Sequence, residues 1–255
     1  MARIFITGSS DGLGSLTAKT LVKNGHQVVL HARNSQRAKD ASAACPGAET
    51  VLVADLTSIE ETKRLAKEVN KIGPFDAIVH NAGLYRGVSG MKGKEGLPAL
   101  FTVNTLAPYI LTCLAKPPSR LVFVSSGLHA GGDASLRDLT NCSYGDSKLH
   151  NIMLAFAFAR KWPNLTSNAV DPGWVATKMG GAGAMDDLGA AVNTFAMLAE
   201  GAGAAEGVTG KYFYQMKTKS CKAAAGDVEA QEKLLKALEQ VSGVRIPENA
   251  TETIS

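Results

Sequence analysis

Tyr144 and Lys148 lie four positions apart in the stretch SYGDSKLHN, at a predicted helix start. On a helix the two side chains share one face, about 6 Å apart along the axis. A tyrosine with a pKa near ~10 is a poor base at neutral pH. A positive charge ~4 Å away, at an effective dielectric of ~20, favours the phenolate by about 4 kcal/mol, an upper estimate worth about three pKa units. The pair therefore predicts an acid and base for a reacting oxygen, although such pairs also decorate ordinary surface helices.

Two serines, Ser125 and Ser126, end a predicted strand in the stretch RLVFVSSGLH. A hydroxyl at the carboxyl end of a strand would hold a substrate oxygen beside Tyr144. The alternative is a hydrolase with a nucleophilic serine, but the sequence lacks the GxSxG turn of that class. Together the serine, tyrosine and lysine predict reduction of a carbonyl group.

Short apolar runs that predict strands alternate with helical patterns along most of the chain. The strand candidates are 2–7, 27–32, 50–55, 76–80, 120–125, 165–170 and 211–214, and the helix candidates are 12–24, 35–44, 58–72, 98–116 and 144–161. The strands show little polar alternation, as in a parallel sheet covered on both faces. We predict an α/β fold: a single Rossmann-type doubly wound domain over 1–255, with a seven-stranded parallel sheet flanked by helices and a C-terminal helix around 226–241.

Two stretches interrupt this alternation, 127–143 and the glycine- and alanine-rich 180–207. Both follow predicted strands at their carboxyl ends, where open α/β sheets bind ligands. The second stretch is either a loose helix pair or a mobile substrate lid, and we favour the lid.

A glycine-rich turn, TGSSDGLG, spans Thr7 to Gly14 between the first strand and the first helix. Its glycines allow a tight turn and close backbone approach to a phosphate, and the helix start attracts the negative charge. The GK[ST] ending of a nucleoside triphosphate loop is absent from the sequence. This context predicts a dinucleotide site.

The stretch HARNSQR after the second strand carries Arg33 and Arg37, where NAD sites usually have an acidic residue. A guanidinium can grip a ribose 2′-phosphate, so we predict NADP(H), preferred over NAD(H). The alternative is a solvated arginine at a helix start. Asp55, at the end of strand three, either accepts from the adenine amino group or caps a turn.

The composition excludes several other classes. The 255 residues carry a net charge of +4 without a basic block, which disfavours nucleic-acid binding. Four scattered cysteines predict free thiols, and no histidine spacing predicts a metal site. The sequence shows no signal peptide and no run of ~18 apolar residues that would predict a membrane span. We expect a cytoplasmic protein.

The motifs TGSSDGLG, HNAG, VSS, YGDSK and DPGWVATKM occur in the order and spacing of the short-chain dehydrogenase/reductase family, which the chain resembles from residue 2 to about 215. HARN, FTVNTLAPYILT, RDL and GKYF are similar to the retinol dehydrogenase-like branch and its bacterial ketoreductase relatives. The resemblance implies a substrate-orienting Ser126, an acid/base Tyr144, a Lys148 that holds the nicotinamide ribose, and an Asn104 that holds a water linking Lys148 to solvent.

The resemblance also implies the residues that bind the cofactor. Ordered along the chain, these are Thr7, Gly8, Ser10, Asp11, Gly12, Leu13, Gly14, Arg33, Asp55, Leu56, Asn81, Ala82, Gly83, Tyr144, Lys148, Pro172, Gly173, Val175 and Thr177.

The chain departs from the family pattern at three places. His80 replaces the first asparagine of the usual Asn-Asn-Ala-Gly motif, which we expect to affect packing. The segment between RDL and Tyr144 is short, which leaves the substrate open. The helix at 98–116 is short as well, and the apolar run at 152–159 serves either a dimer interface or its own sheet, so monomer, homodimer and tetramer stay open.

The predicted function is an NADP(H)-dependent oxidoreductase that reduces a ketone or aldehyde on a small apolar molecule. The substrate pocket is expected to be built from 129–134, 180–207 and the apolar side chains of Leu128, Trp174, Met179, Met185, Phe195 and Met197. The alternatives are a dinucleotide-sensing protein without catalysis, and a nucleotide-sugar epimerase or dehydratase, for which the C-terminal region leaves little room.

Overall fold

One sheet organises the structure. The computed structural model describes residues 1–248, and within them eight strands hydrogen-bond in the order β3-β2-β1-β4-β5-β6-β7-β8. The strands are β1 (Arg3–Ile6), β2 (Gln27–Ala32), β3 (Thr50–Val53), β4 (Ala77–His80), β5 (Arg120–Val124), β6 (Thr166–Asp171), β7 (Tyr212–Tyr214) and β8 (Lys217–Lys219). The pairs from β3 to β7 are parallel, which confirms the predicted doubly wound sheet.

The eighth strand corrects the predicted count of seven. β8 pairs antiparallel with β7 through a two-residue turn at Gln215 and Met216, both with positive φ. Such turns favour asparagine and glycine, so the pair Gln-Met carries no hairpin signal in the sequence.

Eight helices connect and flank these strands in the described part of the chain. They are α1 (Gly12–Lys23), α2 (Ser35–Ala44), α3 (Ile59–Ile72), α4 (Ala99–Phe101), α5 (Ala107–Leu114), α6 (Tyr144–Lys161), α7 (Leu188–Glu200) and α8 (Val228–Ser242). A π-helical turn, Thr102–Leu106, joins α4 to α5, so the predicted helix at 98–116 has three parts. The predicted C-terminal helix corresponds to α8.

The apolar core lies on both faces of the sheet. One face packs α3, α5, α6 and α8, and the other packs α1 and α7. The apolar run at 152–159 lies in the first of these layers, where Ile152, Met153, Leu154 and Phe158 are fully buried. These side chains pack inside their own chain and are not presented as an outer face.

Part of the stretch 180–207 is a packed helix. Its residues 188–200 form α7, whose Phe195 and Met197 are buried against the sheet, so these two side chains belong to the core and not to the pocket. Only the residues before α7 border the clefts described below. Among residues 1–248 no helix combines the length and apolarity that a bilayer span requires.

The strand order places the candidate site. The chain leaves β1 toward β2 on one side and reaches β4 on the other, so the turns after β1 and β4 face each other. A crevice opens at such a point, at the carboxyl ends of the strands.

Candidate functional site

The glycine-rich turn after β1 is packed against the end of β4. Asn81 Nδ2 donates to the carbonyl oxygens of Thr7 at 2.9 Å and Gly8 at 3.0 Å. The Ala82 amide donates to Thr7 Oγ1 at 3.0 Å. Gly8 has a φ of +63°, and a Cβ there would lie 2.7 Å from Ala82 Cα, so only glycine fits. The turn after β1 and the end of β4 therefore hold each other in place.

His31 also fixes this turn, and the sequence analysis missed it. The Gly8 amide donates to His31 Nδ1 at 2.9 Å, which leaves the ring proton on Nε2, 2.9 Å from the Ala54 carbonyl oxygen. Burial lowers the His31 pKa to about 4, so the ring stays neutral. The signal was present in the HARN motif, but a histidine within an apolar strand is usually a packing residue.

The first cleft has a volume of about 550 Å³ and runs along this turn. The predicted cofactor residues on its walls are Gly8, Ser10, Asp11, Gly12, Leu13, Arg33, Asp55, Leu56, Asn81, Ala82, Gly83, Tyr144, Lys148, Pro172 and Thr177. Thr7 and Gly14 lie beneath the turn instead, and a Cβ at Gly14 would meet Asn81 Nδ2 at 2.4 Å. Gly173 and Val175 border a second, neighbouring cleft.

Charged groups meet at one end of the first cleft. Asp11 caps α1, and its Oδ2 lies 2.5 Å from Lys178 Nζ and 3.2 Å from Arg37 Nη2. The bond from Lys178 is the main cause that lowers the Asp11 pKa to about 2. Arg33 is exposed on the same wall. The ion pairs of Asp11 were not foreseen from the sequence.

Asp55 takes the capping role that the sequence left open. Its Oδ1 accepts from the Thr57 amide at 2.9 Å and from Thr57 Oγ1 at 2.8 Å, which shapes the turn before α3. Asp55 still borders the first cleft.

The two serines after β5 have different surroundings. Ser125 is buried, and its Oγ donates to the Lys148 carbonyl oxygen at 2.8 Å. Ser126 and Tyr144 both border the second cleft, where Ser126 Oγ accepts from the Leu128 amide at 3.3 Å. The structure therefore brings Ser126 beside Tyr144, whereas Ser125 holds α6 against the sheet.

Tyr144 begins α6 after a capping box of Ser143 and Asp146. Burial raises the pKa of Tyr144 to about 12, and the hydrogen bond with Ser126 acts in the opposite direction. Tyr85 and Asp171 raise this pKa as well. The expected lowering of the phenol pKa by Lys148 together with an oxidised nicotinamide stays a prediction.

Lys148 lies one turn further along α6, with 3% of its surface exposed. Its Nζ donates to the Val124 carbonyl oxygen at 2.9 Å and lies 5.4 Å from the centre of the Tyr144 ring. Burial lowers the Lys148 pKa to about 8, against the field of Asp171. The predicted pair therefore meets at the cleft, with the ammonium set beside the phenol ring.

Asn104 lies in the π-helical turn and is fully buried. Its Oδ1 accepts from the Leu84 amide at 2.7 Å, and its Nδ2 donates to the Leu84 carbonyl oxygen at 2.9 Å and to Ser147 Oγ at 3.0 Å. The amide thereby fixes the loop that follows β4. A Cβ at Gly83 would lie 3.6 Å from Asn104 Oδ1 and 3.4 Å from Lys148 Nζ, so both side chains flank the same glycine.

The second cleft, of about 470 Å³, adjoins the first. Tyr85 packs against Tyr144 with ring centres 4.2 Å apart and ring planes tilted by 38°, and the Arg86 guanidinium lies over the Tyr85 ring at 5.2 Å. These residues directly follow the HNAG motif and were not predicted from the sequence. Leu128, Trp174 and Met179 border the cleft as expected, together with Tyr214 and Lys219.

Other parts of the predicted pocket lie elsewhere. His129 is buried beneath the cleft floor, and Gly132 packs against α6, so the walls contain Ser126 to Leu128 in place of 129–134. Met185 is 85% exposed and does not border the cleft. A short bridge between Val175 and Asp186 closes the loop that carries Trp174, whose Nε1 donates to the Gly180 carbonyl oxygen at 2.8 Å.

His80 packs in the core, as expected for its place in the HNAG motif. It is 1% exposed, lies 4.7 Å from the Phe123 ring centre, and its Nε2 is 2.9 Å from Thr112 Oγ1. Burial lowers its pKa to about 3. Within residues 1–248 no group of three or more metal-binding side chains comes together.

Comparison with known proteins identifies the family. A family model described as short chain dehydrogenase matches residues 2–187. An uncharacterised oxidoreductase of Emericella nidulans is 50% identical over 253 residues, covering 97% of this chain and 99% of that protein. The short-chain dehydrogenase chyC of Penicillium rubens is 44% identical over 259 residues, covering 97% of this chain and 100% of that protein.

Solved structures share the fold. The crystal structure of a blue fluorescent protein from a metagenomic library, in complex with NADPH, superposes with a TM-score of 0.64 at 22% identity, covering 83% of this chain and 94% of that chain. This likeness shows the fold alone, whereas the two fungal relatives extend the family match beyond residue 187. The chain is therefore an oxidoreductase that belongs to the short chain dehydrogenase family.

Proposed function

We propose that this protein is an NADP(H)-dependent carbonyl reductase, in which Tyr144 is the acid and base. The observation that carries the proposal is the position of Tyr144, which borders both clefts. A dinucleotide in the first cleft and a carbonyl compound in the second would meet at its hydroxyl.

The side chains around Tyr144 have separate tasks in this proposal. Ser126 orients the substrate oxygen, and Tyr144 donates its proton to that oxygen as the alkoxide develops. Lys148 holds the ribose beside the phenol, and Asn104 links Lys148 to solvent. When bound, the dinucleotide would supply the hydride, while the protein positions donor, acceptor and proton in one geometry.

The residues of the first cleft fit a dinucleotide. The positive φ of Gly8 and Gly12 turns the backbone, and the space around a Cβ at Gly12 is open to 4 Å. The α1 start offers its amides to a pyrophosphate. Exposed Arg33 supports NADP(H) over NAD(H), and the fold neighbour was crystallised with NADPH.

The second cleft supports a small apolar carbonyl or alcohol substrate. Its walls combine the apolar surfaces of Tyr85, Leu128, Trp174 and Met179 with polar side chains, which are Arg86, Ser126, Asp171, Thr177, Asp186, Tyr214 and Lys219. The loop at 174–187 acts as the cover of this cleft, a narrower version of the lid at 180–207.

A substrate screen combined with one substitution tests the proposal. Purified protein is mixed with NADPH and a panel of aliphatic and aromatic ketones, aldehydes and retinoids, and the loss of NADPH absorbance is followed. Tyr144→Phe should reduce turnover by at least ~10³-fold, because the proton donor is lost, with NADPH affinity changed less than ~3-fold. Tyr109→Phe, which removes a buried hydroxyl outside both clefts, should keep its turnover.

The alternative is a dinucleotide-sensing protein of the same fold without catalysis. It predicts tight NADPH binding and no oxidation of NADPH with any compound of the panel. Near-normal turnover in Tyr144→Phe would instead refute the acid/base assignment.

A further inference from the structure

A buried polar network lies beneath the second cleft, under Ser126. Asp171 ends β6 and Tyr212 lies on β7, on the same face of the sheet, and the Tyr212 hydroxyl donates to Asp171 Oδ2 at 3.0 Å. The same hydroxyl lies 3.3 Å from His129 Nδ1. Exposure of Asp171, Tyr212 and His129 is 4%, 2% and 5%. Three polar side chains are thus shielded from water and bonded to one another.

The hydrogen-bond partners of His129 define its tautomer. The Lys222 amide donates to His129 Nε2 at 3.2 Å, so Nε2 is an acceptor and the ring proton is on Nδ1. That proton points to the Ser126 carbonyl oxygen, 2.7 Å away. Because Nδ1 is a donor, the Tyr212 hydroxyl does not donate to it and donates its hydrogen bond to Asp171.

The network holds the backbone that carries the Ser126 hydroxyl. The Ser126 carbonyl oxygen accepts from both the His129 ring and the His129 amide, the latter at 3.0 Å. The Asp171 carboxylate lies next to the following residue, because a Cβ at Gly127 would be 3.4 Å from Asp171 Oδ2. The His129 ring packs against Tyr212 with centres 4.8 Å apart. The Ser126–Gly127 peptide is therefore contacted by buried groups on both sides, by His129 at the Ser126 carbonyl oxygen and by Asp171 beside Gly127.

We propose that His129, with Tyr212 and Asp171 behind it, is a positioning residue that sets the Ser126 hydroxyl against the substrate oxygen. The inference rests on the proposed role of Ser126. It extends that role to three side chains between 3 and 86 positions away in the sequence. His129 and Tyr212 do not line the second cleft, whereas Asp171 borders it. An oxygen displaced by ~1 Å in such a site can slow turnover by ~10²-fold.

Three variants at two positions test the network in steady-state reduction with the best substrate of the screen. His129→Leu removes the donor to the Ser126 carbonyl, and His129→Asn restores an N–H near the place of Nδ1. Tyr212→Phe keeps the ring packing and removes the hydroxyl. We expect kcat to fall ~10- to 100-fold in His129→Leu and Tyr212→Phe, with NADPH affinity unchanged, and to recover at least ~5-fold in His129→Asn relative to His129→Leu.

The kcat of the double variant His129→Leu/Tyr212→Phe should be no more than ~3-fold below that of the slower single variant, because both substitutions act through one network. Amide hydrogen exchange provides a second readout: segment 126–132 should exchange faster in His129→Leu than in His129→Asn. If His129→Leu does not fold, Tyr212→Phe alone decides. A kcat within 3-fold of wild type in Tyr212→Phe, or equal loss in His129→Asn and His129→Leu, overturns the inference.

Ser126→Ala separates this inference from the function on which it rests. If wild-type protein reduces no carbonyl, or if Ser126→Ala keeps full turnover, the proposed function or the role of Ser126 fails and the positioning role falls with it. If Ser126→Ala is slow while the His129 and Tyr212 variants remain fast, the positioning role alone is refuted.

Discussion

Lys148 and Tyr144 lie on one face of α6, with Lys148 Nζ 5.4 Å from the centre of the Tyr144 ring. The ammonium is held there by the Val124 carbonyl oxygen at 2.9 Å, so the neighbouring strand fixes its position. Burial of this cation has a cost in stability.

That cost predicts a stabilised variant, Lys148→Met. The unfolded lysine titrates at 10.5 and the native one at about 8, which corresponds to about 3 kcal/mol of unfavourable free energy at pH 7. The penalty is fully present below pH 8 and fades as the pH rises toward 10.5, because the native amine has then lost its proton. Lys148→Met should therefore gain about 1–3 kcal/mol at pH 7 and less at pH 10.

Urea unfolding at the two pH values measures this gain. The Val124 carbonyl keeps the Asn151 side chain as a donor at 2.9 Å, so the substitution leaves it bonded. Lys236→Met, at an exposed position of α8, is the control and should show no pH-dependent gain. A Lys148→Met protein less stable than wild type at pH 7 would contradict the expectation.

The two reaction directions should differ in their pH dependence. With its pKa raised to about 12, Tyr144 keeps its proton between pH 6 and 8, so the reduction rate should stay nearly flat. Oxidation needs the phenolate, whose fraction grows about tenfold per pH unit in this range. Initial rates at saturating substrate in both directions give the comparison, with each sample re-assayed at pH 7 to exclude inactivation. A reduction rate that falls tenfold per unit above pH 7 would show a phenol pKa near neutrality.

Arg33 should decide between the two dinucleotides. Arg33→Ala removes the guanidinium at the first cleft, so kcat/KM for NADPH should fall at least ~10-fold while kcat/KM for NADH changes less than ~3-fold. The control Arg245→Ala changes an exposed arginine near the C-terminus and should alter neither value. An equal decrease in kcat/KM for NADPH and for NADH would rule out a contact specific to the 2′-phosphate.

Asp11 places a negative charge where a phosphate would bind. Asp11→Asn keeps a good N-cap for α1 and removes the charge, so NADPH should bind ~3- to 10-fold more tightly at low salt, and the gain should shrink at high salt. Calorimetric titration at two ionic strengths measures the change. Weaker binding would mean that the ion pair of Asp11 with Lys178 holds the cleft in its binding shape.

Asn104 should be needed for the shape of the loop after β4. Asn104→Ala leaves the Leu84 amide and carbonyl without their partner, which should cost about 2 kcal/mol or more of unfolding free energy. Urea unfolding, with the surface variant Asn141→Ala as control, measures the loss. A cost below about 0.5 kcal/mol would show that the loop is held by other contacts.

Several features of the site could be predicted because they depend on residues close in the sequence. Tyr144 and Lys148 share a face by helical periodicity alone, and the turn from Thr7 to Gly14 needs only a strand, three glycines and a helix start. The strands were recognisable because both faces of a parallel sheet demand apolar residues.

Other features depend on neighbours that the sequence order does not reveal. Strand alternation separates Ser125 from Ser126, but only the packing of α6 shows that Ser125 faces its backbone. Tyr85 contacts Tyr144, although 59 positions separate them in the sequence. The composition of the stretch after residue 187 favours a loose lid, but in the structure this stretch begins with α7, which packs against the sheet.

Taken by itself, the sequence determined the kind of chemistry and the strand-helix order, since both follow from residue types and local spacing. Tertiary structure decided which serine borders the second cleft, how burial shifts the pKa of Tyr144 and Lys148, and which buried groups lie beneath Ser126. These outcomes depend on distances and desolvation created by packing distant segments, and such quantities have no counterpart in the order of residues along a chain.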